Sequence, residues 1–212
     1  NCGYNKNRMK HLNNQGRKVC VGLSGGVDSS VTAYLLKEAG YDVVGIFIKI
    51  WHPDFLFCNW REEMRHAMRV TAELHIPFKM VDLSAEYKNK VIDYMIKEYR
   101  DGRTPNPDVM CNSEIKFGVF MDYVLATEKC DYIATGHYAQ IEDGKLLRGI
   151  DEGKDQSYFL CGIDRDKLSK ILLPIACTRC VLPSPTPPYR NKGLKDVPPG
   201  FSLIAVAAAL AS

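Results

Sequence analysis

The segment Ser24-Gly25-Gly26-Val27-Asp28-Ser29-Ser30 constrains this chain more than any other, because of what flanks it. Before it lies Lys18 to Leu23 (KVCVGL), a β-branched and nearly continuous apolar run that reads as a buried strand. After it comes a helix from about Asp28 to Ala39, with Val31, Tyr34 and Leu35 on one face and Gly40 as a left-handed stop. Two adjacent glycines let the backbone turn tightly and expose its N–H groups, while serine hydroxyls and the positive helix end add donors for phosphate oxygens. Neither G-x-x-x-x-G-K-[ST] nor G-x-G-x-x-G occurs at this junction, so the Walker-type and dinucleotide fingerprints do not apply. Asp28 offers a carboxylate suited to Mg2+ that bridges phosphates. The bland alternative is a glycine-rich turn without a ligand.

The rest of the pattern supplies the frame for that turn. Val43 to Ile50 (VVGIFIKI) predicts a second buried strand, and Arg61 to His75 a helix whose inner face holds Met64, Ala67, Met68, Thr71 and Leu74. A strand at Phe78 to Leu83 follows, then a helix capped by Ser84 with Tyr87, Val91, Tyr94 and Met95 inward. A fourth helix is expected to start near Asn112, and Asp131 to Thr135 reads as a strand. Parallel strands need long crossovers, so this alternation implies an α/β fold, a doubly wound parallel sheet of Rossmann-like type with helices on both faces. Past Gly136, Tyr138 to Glu142 and Lys145 to Arg148 flank Asp143-Gly144, a two-residue hairpin signal. The parallel sheet is expected to end there. Asp164 predicts the N-cap of a short helix through Leu172, closed by Pro174.

With 212 residues and 46% hydrophobic content the chain can bury a sizeable core, so one globular domain with a tail is expected. The balance of 28 Lys plus Arg against 25 Asp plus Glu permits a nucleic-acid partner without arguing for one. The first sixteen residues are polar and lack the apolar core of a secretory signal, which predicts a cytoplasmic protein. The longest apolar run, Phe201 to Ala211, is shorter than the roughly 20 residues that span a bilayer, so no membrane partner is expected. Eight scattered cysteines favour reduced thiols over a disulfide framework. Six of the eleven prolines fall between Pro183 and Pro199, before FSLIAVAAALAS, which predicts an irregular, disordered tail from Cys177.

A second constellation runs Gly102-Arg103-Thr104-Pro105-Asn106-Pro107-Asp108-Val109-Met110-Cys111-Asn112. Its two prolines keep the approach stiff, and a helix starting near Asn112 would set Cys111 at a positive dipole end, where a thiol pKa falls. Asp108, three residues earlier, is in reach of the same substrate atom as base or acceptor. The residues alone leave a catalytic thiol and a buried structural cysteine both open. Cys20 and Cys130 read as inert packing, His137 as either a positioned or a catalytic imidazole, and Cys58 as a lid-loop or core cysteine.

The SGGVDSS turn resembles the PP-loop of the ATP pyrophosphatases, which release pyrophosphate as they attach AMP to a substrate oxygen. Joined to GRTPNPDVMCNSEIKF, VGIFIKIW, ATGHYA and LLRGIDEGKDQSYFL, colinear from about Lys18 to about Ala176, it looks like the tRNA-specific 2-thiouridylase family. That resemblance implies a fold of the adenine nucleotide alpha hydrolase type and an enzyme that replaces the C2 oxygen of a wobble uridine with sulfur. It implies ATP and Mg2+, a tRNA partner that presents its anticodon arm, a persulfide sulfur-relay protein, and a disulfide among its features. It assigns ATP to Gly22, Leu23, Ser24, Gly25, Gly26, Val27, Asp28, Ser29, Ile48 and Gly136. The target base falls to Asn106, Pro107 and Asp108, catalysis to Cys111 and Asp108, and tRNA contact to Lys154, Asp155 and Gln156; no protein-only metal site is implied.

On this reading residues 1–16 form a polar extension, 17–141 the PP-loop catalytic domain, 142–176 a hairpin and helix towards the tRNA-binding region, and 177–212 a divergent tail. The sequence departs from the family after Ile175. The second cysteine expected several dozen residues past the KDQS segment has no counterpart, since none follows Cys180, and a truncated or altered end is expected. Cys177 and Cys180 form a C-x-x-C pair, half of a four-ligand zinc site. Two alternatives stay open: a PP-loop amidotransferase, and an ATP-binding remnant that cannot complete sulfur transfer.

Overall fold

The computed structural model describes residues 16–53 and 60–176. Five parallel strands form one sheet, β1 (Lys18–Leu23), β2 (Asp42–Lys49), β3 (Phe78–Asp82), β4 (Tyr132–Ala134) and β7 (Ile171–Leu172), in the spatial order β3-β2-β1-β4-β7. A hairpin of β5 (Ala139–Glu142) and β6 (Lys145–Arg148) stands beside it. The helices are α1 (Val27–Glu38), α2 (Trp60–Glu73), α3 (84–100), α4 (107–127) and the single turn α5 (Arg165–Leu168), with a short 3-10 turn at Ser157–Leu160. This is the doubly wound α/β architecture that the alternation of elements predicts.

Both faces of the sheet are covered, which is why its central strands read as unbroken apolar runs. Val19, Val21 and Leu23 of β1, with Val43 and Phe47 of β2, pack with α1 and α2 through Leu36, Ala67 and Val70. Alternate residues Cys20, Val44 and Ile46 face the opposite way, against Ile115, Phe117 and Phe120 of α4 and Val91 of α3. Each fully buried side chain of this kind contributes about 2 kcal/mol. Exposed ion pairs such as Lys88–Asp93 at 2.9 Å contribute under about 1 kcal/mol, so the two apolar layers hold the sheet.

Four local expectations change. The parallel sheet does not end at Gly136, because Ile171 and Leu172 return to pair with Ile133 and Ala134. The helix capped at Asp164 accordingly stops at Leu168 instead of running to Leu172. A two-residue strand after a one-turn helix is too short for either periodicity to declare itself. Met68 is 46% exposed, not core, although Ala67 and Thr71 beside it are buried. Ser84 is the first residue of α3 and not its side-chain cap; its N–H donates to Asp82 Oδ1 at 3.0 Å. The hairpin turn at Asp143 and Gly144 has positive φ at both residues, +49° and +70°, as a two-residue turn of this hand requires. No helix among the described residues is long and apolar enough to cross a membrane.

Candidate functional site

The strand order reverses direction at β1, with β2 on one side and β4 on the other, so a crevice opens between β1 and β4 at their carboxyl ends. The glycine turn leaves β1 there. Gly25 has φ +80°, and a Cβ on it would meet the Glu63 carbonyl oxygen at 2.5 Å. Gly136, after β4, lies directly on the first turn of α1: a Cβ there would stand 2.8 Å from both Asp28 C and Ser29 N. Gly26 is the N-cap of α1, and having no side chain it leaves the first N–H groups of the helix for another acceptor. The buried serines brace the turn. Ser29 Oγ and Ser30 Oγ donate to the Gly26 carbonyl at 3.0 and 2.8 Å, and the Ser24 N–H donates to Ser29 Oγ at 3.3 Å.

The thiol arrives from the opposite wall on α4. That helix begins at Pro107, not near Asn112. Asn106 is its N-cap, with Oδ1 accepting from the N–H groups of Asp108 at 3.1 Å and Val109 at 3.2 Å. A capping asparagine followed by proline at the first helical position is a helix start, which the extended reading of the segment overlooked. Cys111 therefore sits one turn inside the helix. Burial pushes its thiol pKa up, with Asp108 adding to the rise and the Lys116 charge opposing it, so the dipole-lowered thiol expected from sequence is overturned.

From Cys111 to Phe120 the helix takes a wide π form, with a break at Gly118, whose Cβ would collide with the Ser113 carbonyl oxygen at 2.8 Å. In an α-helix five residues advance about 140° around the axis, off the face of the first. The wider turn brings Lys116 to the wall that carries Cys111. Asn112, behind the thiol, is buried; its Nδ2 donates to the Phe159 carbonyl at 3.1 Å, while Oδ1 has no partner.

Turn and thiol share one cleft of about 420 Å³. Of the residues named from sequence, Gly22, Leu23, Ser24, Asp28, Ser29, Ile48, Gly136 and Cys111 line it. Gly25, Gly26 and Val27 shape the turn, while Asn106, Pro107 and Asp108 lie outside the lining, at the N-terminal end of α4. Sequence reading missed Lys116, Thr135, Trp60 and Glu63, which also line the cleft. Lys116 stood inside a quoted motif without a role, and the π turn that aims it leaves no local signal. His137 also faces the cleft, its Nδ1 sharing a 2.7 Å hydrogen bond with Thr135 Oγ1. Burial, reinforced by the Lys116 charge, lowers its pKa to about 3, so the imidazole is neutral near pH 7.

Lys154, Asp155 and Gln156 line a second cavity of about 370 Å³ that shares Asp28 with the first. Asp155 spends its carboxylate inside the loop, accepting from the N–H groups of Gly149 at 2.8 Å and Ser157 at 3.0 Å, and from Ser157 Oγ at 3.0 Å. Tyr158, 63% exposed, accepts from Asn106 Nδ2 at 3.4 Å and ties this region to the start of α4. The described cysteines Cys20, Cys111, Cys130 and Cys161 are free thiols. Cys20 and Cys130 are buried, as packing residues should be. Cys58 and the Cys177–Cys180 pair fall outside the described residues.

A family model described as the tRNA methyl transferase HUP domain matches residues 17–180. The chain belongs to that family. Among curated proteins, the tRNA-specific 2-thiouridylase MnmA of Christiangramia forsetii is 56% identical over 171 residues, which is 75% of this chain and 43% of that protein. The protein of the same name from Streptococcus pyogenes serotype M3 is 52% identical over 167 residues, 74% of this chain and 44% of that protein. The resemblance carried by the five motifs is therefore borne out at the level of family. The chain spans less than half the length of these relatives, and the matched part holds both the glycine turn and Cys111.

Proposed function

We propose that this domain binds ATP across the glycine turn and uses it to activate the C2 oxygen of a tRNA uridine for replacement by sulfur. The observation that carries the reading is the single cleft lined by Ser24, Asp28 and Gly136 on one side and by Cys111 and Lys116 on the other. The first N–H groups of α1 face the phosphates and Ile48 the adenine. No group of three or more His, Cys, Asp or Glu gathers among the described residues. Asp28 together with substrate phosphates would hold a divalent ion, which suits Mg2+, a cation that keeps its waters and uses few protein ligands. The chemistry it would supply there is neutralisation of charge on the departing pyrophosphate.

In the reaction the uridine C2 oxygen attacks the α-phosphorus, and the bond from that phosphorus to pyrophosphate breaks. Sulfur then adds at C2, and AMP leaves with the original oxygen. The sulfur comes from a persulfide R–S–SH on a relay protein: the Cys111 thiolate attacks the inner sulfur, HS⁻ is freed at C2, and a disulfide joins Cys111 to the carrier. Lys116 is the cation lining the cleft beside that thiol, and His137, neutral near pH 7, acts as a hydrogen-bonding wall and not as an acid. The base must leave its stack to enter. Asn106, Pro107 and Asp108, at the start of α4 one turn before Cys111, meet it, while Lys154 and Gln156 contact the RNA outside. A thiol in a nucleotide cleft favours thiolation both over methyl transfer and over amide synthesis, neither of which gives it work.

The test uses the purified chain with ATP and Mg2+, and an anticodon stem-loop RNA carrying uridine at the wobble position. Pyrophosphate release is expected to depend on the RNA and to survive Cys111→Ser, while 2-thiouridine formation from an added persulfide is lost. Absence of ATP binding, or pyrophosphate release supported by a small amide acceptor and not by the RNA, would overturn the reading.

A further inference from the structure

One side chain touches both the glycine turn and the loop beyond the hairpin. Tyr138, between β4 and β5, donates its phenol hydroxyl to Asp28 Oδ1 at 2.8 Å. Its main chain clamps the loop: the Tyr138 N–H donates to Gln156 Oε1 at 3.1 Å, and the Gln156 N–H donates to the Tyr138 carbonyl at 2.9 Å. The Lys154 ammonium lies 5.1 Å from the centre of the Tyr138 ring. A Cβ at Gly149 would stand 2.7 Å from the Tyr138 carbonyl oxygen, so the far end of the loop presses on the same residue. Asp155, bonded to Gly149 and Ser157, ties the loop into a stiff unit.

Asp28 is exposed at the first turn of α1, and a short carboxylate there has several rotamers in reach. The phenol selects one of them. With Oδ1 engaged by Tyr138, Oδ2 would be the oxygen offered to an ion. A hydrogen-bond donor behind a metal-binding carboxylate commonly changes metal affinity by about tenfold or more when it is lost.

We propose that Tyr138 is a positioning residue that couples the 153–156 loop to Asp28, so that RNA seated on the loop tightens the hold of the glycine turn on magnesium-bound ATP. This rests on the functional reading above, which gives the loop to RNA and Asp28 to the ion. An RNA phosphate and the Tyr138 ring draw on the same Lys154 ammonium, so seating the RNA bears directly on the phenol. The coupling is reciprocal, and Mg·ATP tightens the RNA by the same factor.

The experiment titrates ATP, with Mg2+ and separately with EDTA, into the intact chain and into Tyr138→Phe, Gln156→Ala and the double variant, each with and without the anticodon stem-loop RNA. Tyr138→Phe keeps the ring and the backbone clamp, and its thermal midpoint checks that it folds. It is expected to weaken Mg·ATP about fivefold or more while leaving ATP in EDTA unchanged. Gln156→Ala weakens Mg·ATP when Tyr138 is intact and has no further effect in the double variant. RNA tightens Mg·ATP in the wild-type chain but not in Tyr138→Phe. Equal losses with and without Mg2+, additive losses in the double variant, or no RNA effect in the wild-type chain each overturn the coupling alone. A wild-type chain that binds no ATP overturns the functional reading and the coupling with it.

Discussion

The turn at residues 24–29 is held by backbone approach: Gly25 sits under the Glu63 carbonyl, and Gly136 rests on the main chain of Asp28 and Ser29. The helix at 107–127 is placed by side chains, with Ile115, Phe117 and Phe120 buried against β1 and β2, and with Asn106 as its cap. Backbone approach tolerates glycine alone and so writes itself into the sequence as a fixed letter. Side-chain packing accepts many letters and writes only a pattern. Apart from Gly118, where a Cβ would meet the Ser113 carbonyl oxygen at 2.8 Å, the two walls of one cleft thus differ in how they break: the first through a single methyl group, the second by degrees.

Gly25→Ala should have the largest effect. The added Cβ meets a carbonyl oxygen at 2.5 Å and the residue must keep φ +80°, so strain and overlap act together. The variant is expected to lose about 3 kcal/mol of unfolding free energy in urea titrations. ATP binding by calorimetry should vanish with it. Native affinity in this variant would mean that the turn relaxes freely, and the contrast between the walls would dissolve.

That contrast also explains what was legible. The strands β1 to β3, α1 and the hairpin were readable because continuous apolar runs, Gly40 and Asp143-Gly144 are local signals of burial and turn geometry. The cleft lining at Gly22 to Ser24, Ser29, Ile48 and Gly136 followed from the same signals and the motif resemblance. The π turn at 111–120 was not readable, because it depends on Ser113 meeting Gly118 and on the packing of Phe117 and Phe120, and no composition marks it. Hence the thiol was placed at a helix start when it lies one turn in, and Lys116 went unassigned. Strand β7 was missed for a related reason: two residues gain a place in the sheet only because β4 offers an edge.

His137 lies where the two walls meet, and it makes the second prediction. Its folded pKa of about 3 lies below the ordinary 6.5, with burial as the main cause. Between those values the unfolded chain takes up a proton that the folded chain refuses. The stabilisation is therefore whole above pH 6.5 and is lost as the pH falls towards 3. From pH 7 to pH 4 the wild-type chain should lose about 3 kcal/mol more than His137→Gln, which cannot titrate. Urea melts of both proteins at a series of pH values measure the gap. Parallel curves would show that the imidazole is open to water and would remove it from the cleft wall.

The smallest effect probes the side-chain wall itself. Burial and Asp108 both raise the Cys111 pKa, and Lys116 on the same helix opposes them. Other titratable or charged groups around the thiol are Tyr87 from α3, Asp28 from α1, His52 after β2, Glu63 from α2 and His137 after β4. A cation near a thiol favours the thiolate, so Lys116→Met removes the one opposing influence and the pKa rises further. At pH 7.5 alkylation of Cys111, followed by peptide mass spectrometry, should slow by about fivefold, a loss of roughly 1 kcal/mol of charge interaction at the edge of a water-filled cleft. Lys116→Arg should keep most of the rate, since charge and not shape is at issue. Cys20 and Cys130, buried in the core between the sheet and α4, should stay unmodified in every variant and so report that the fold is intact. Were the two Lys116 variants equally slow, the lysine would act by packing, and the thiol wall would owe its chemistry to the helix backbone after all.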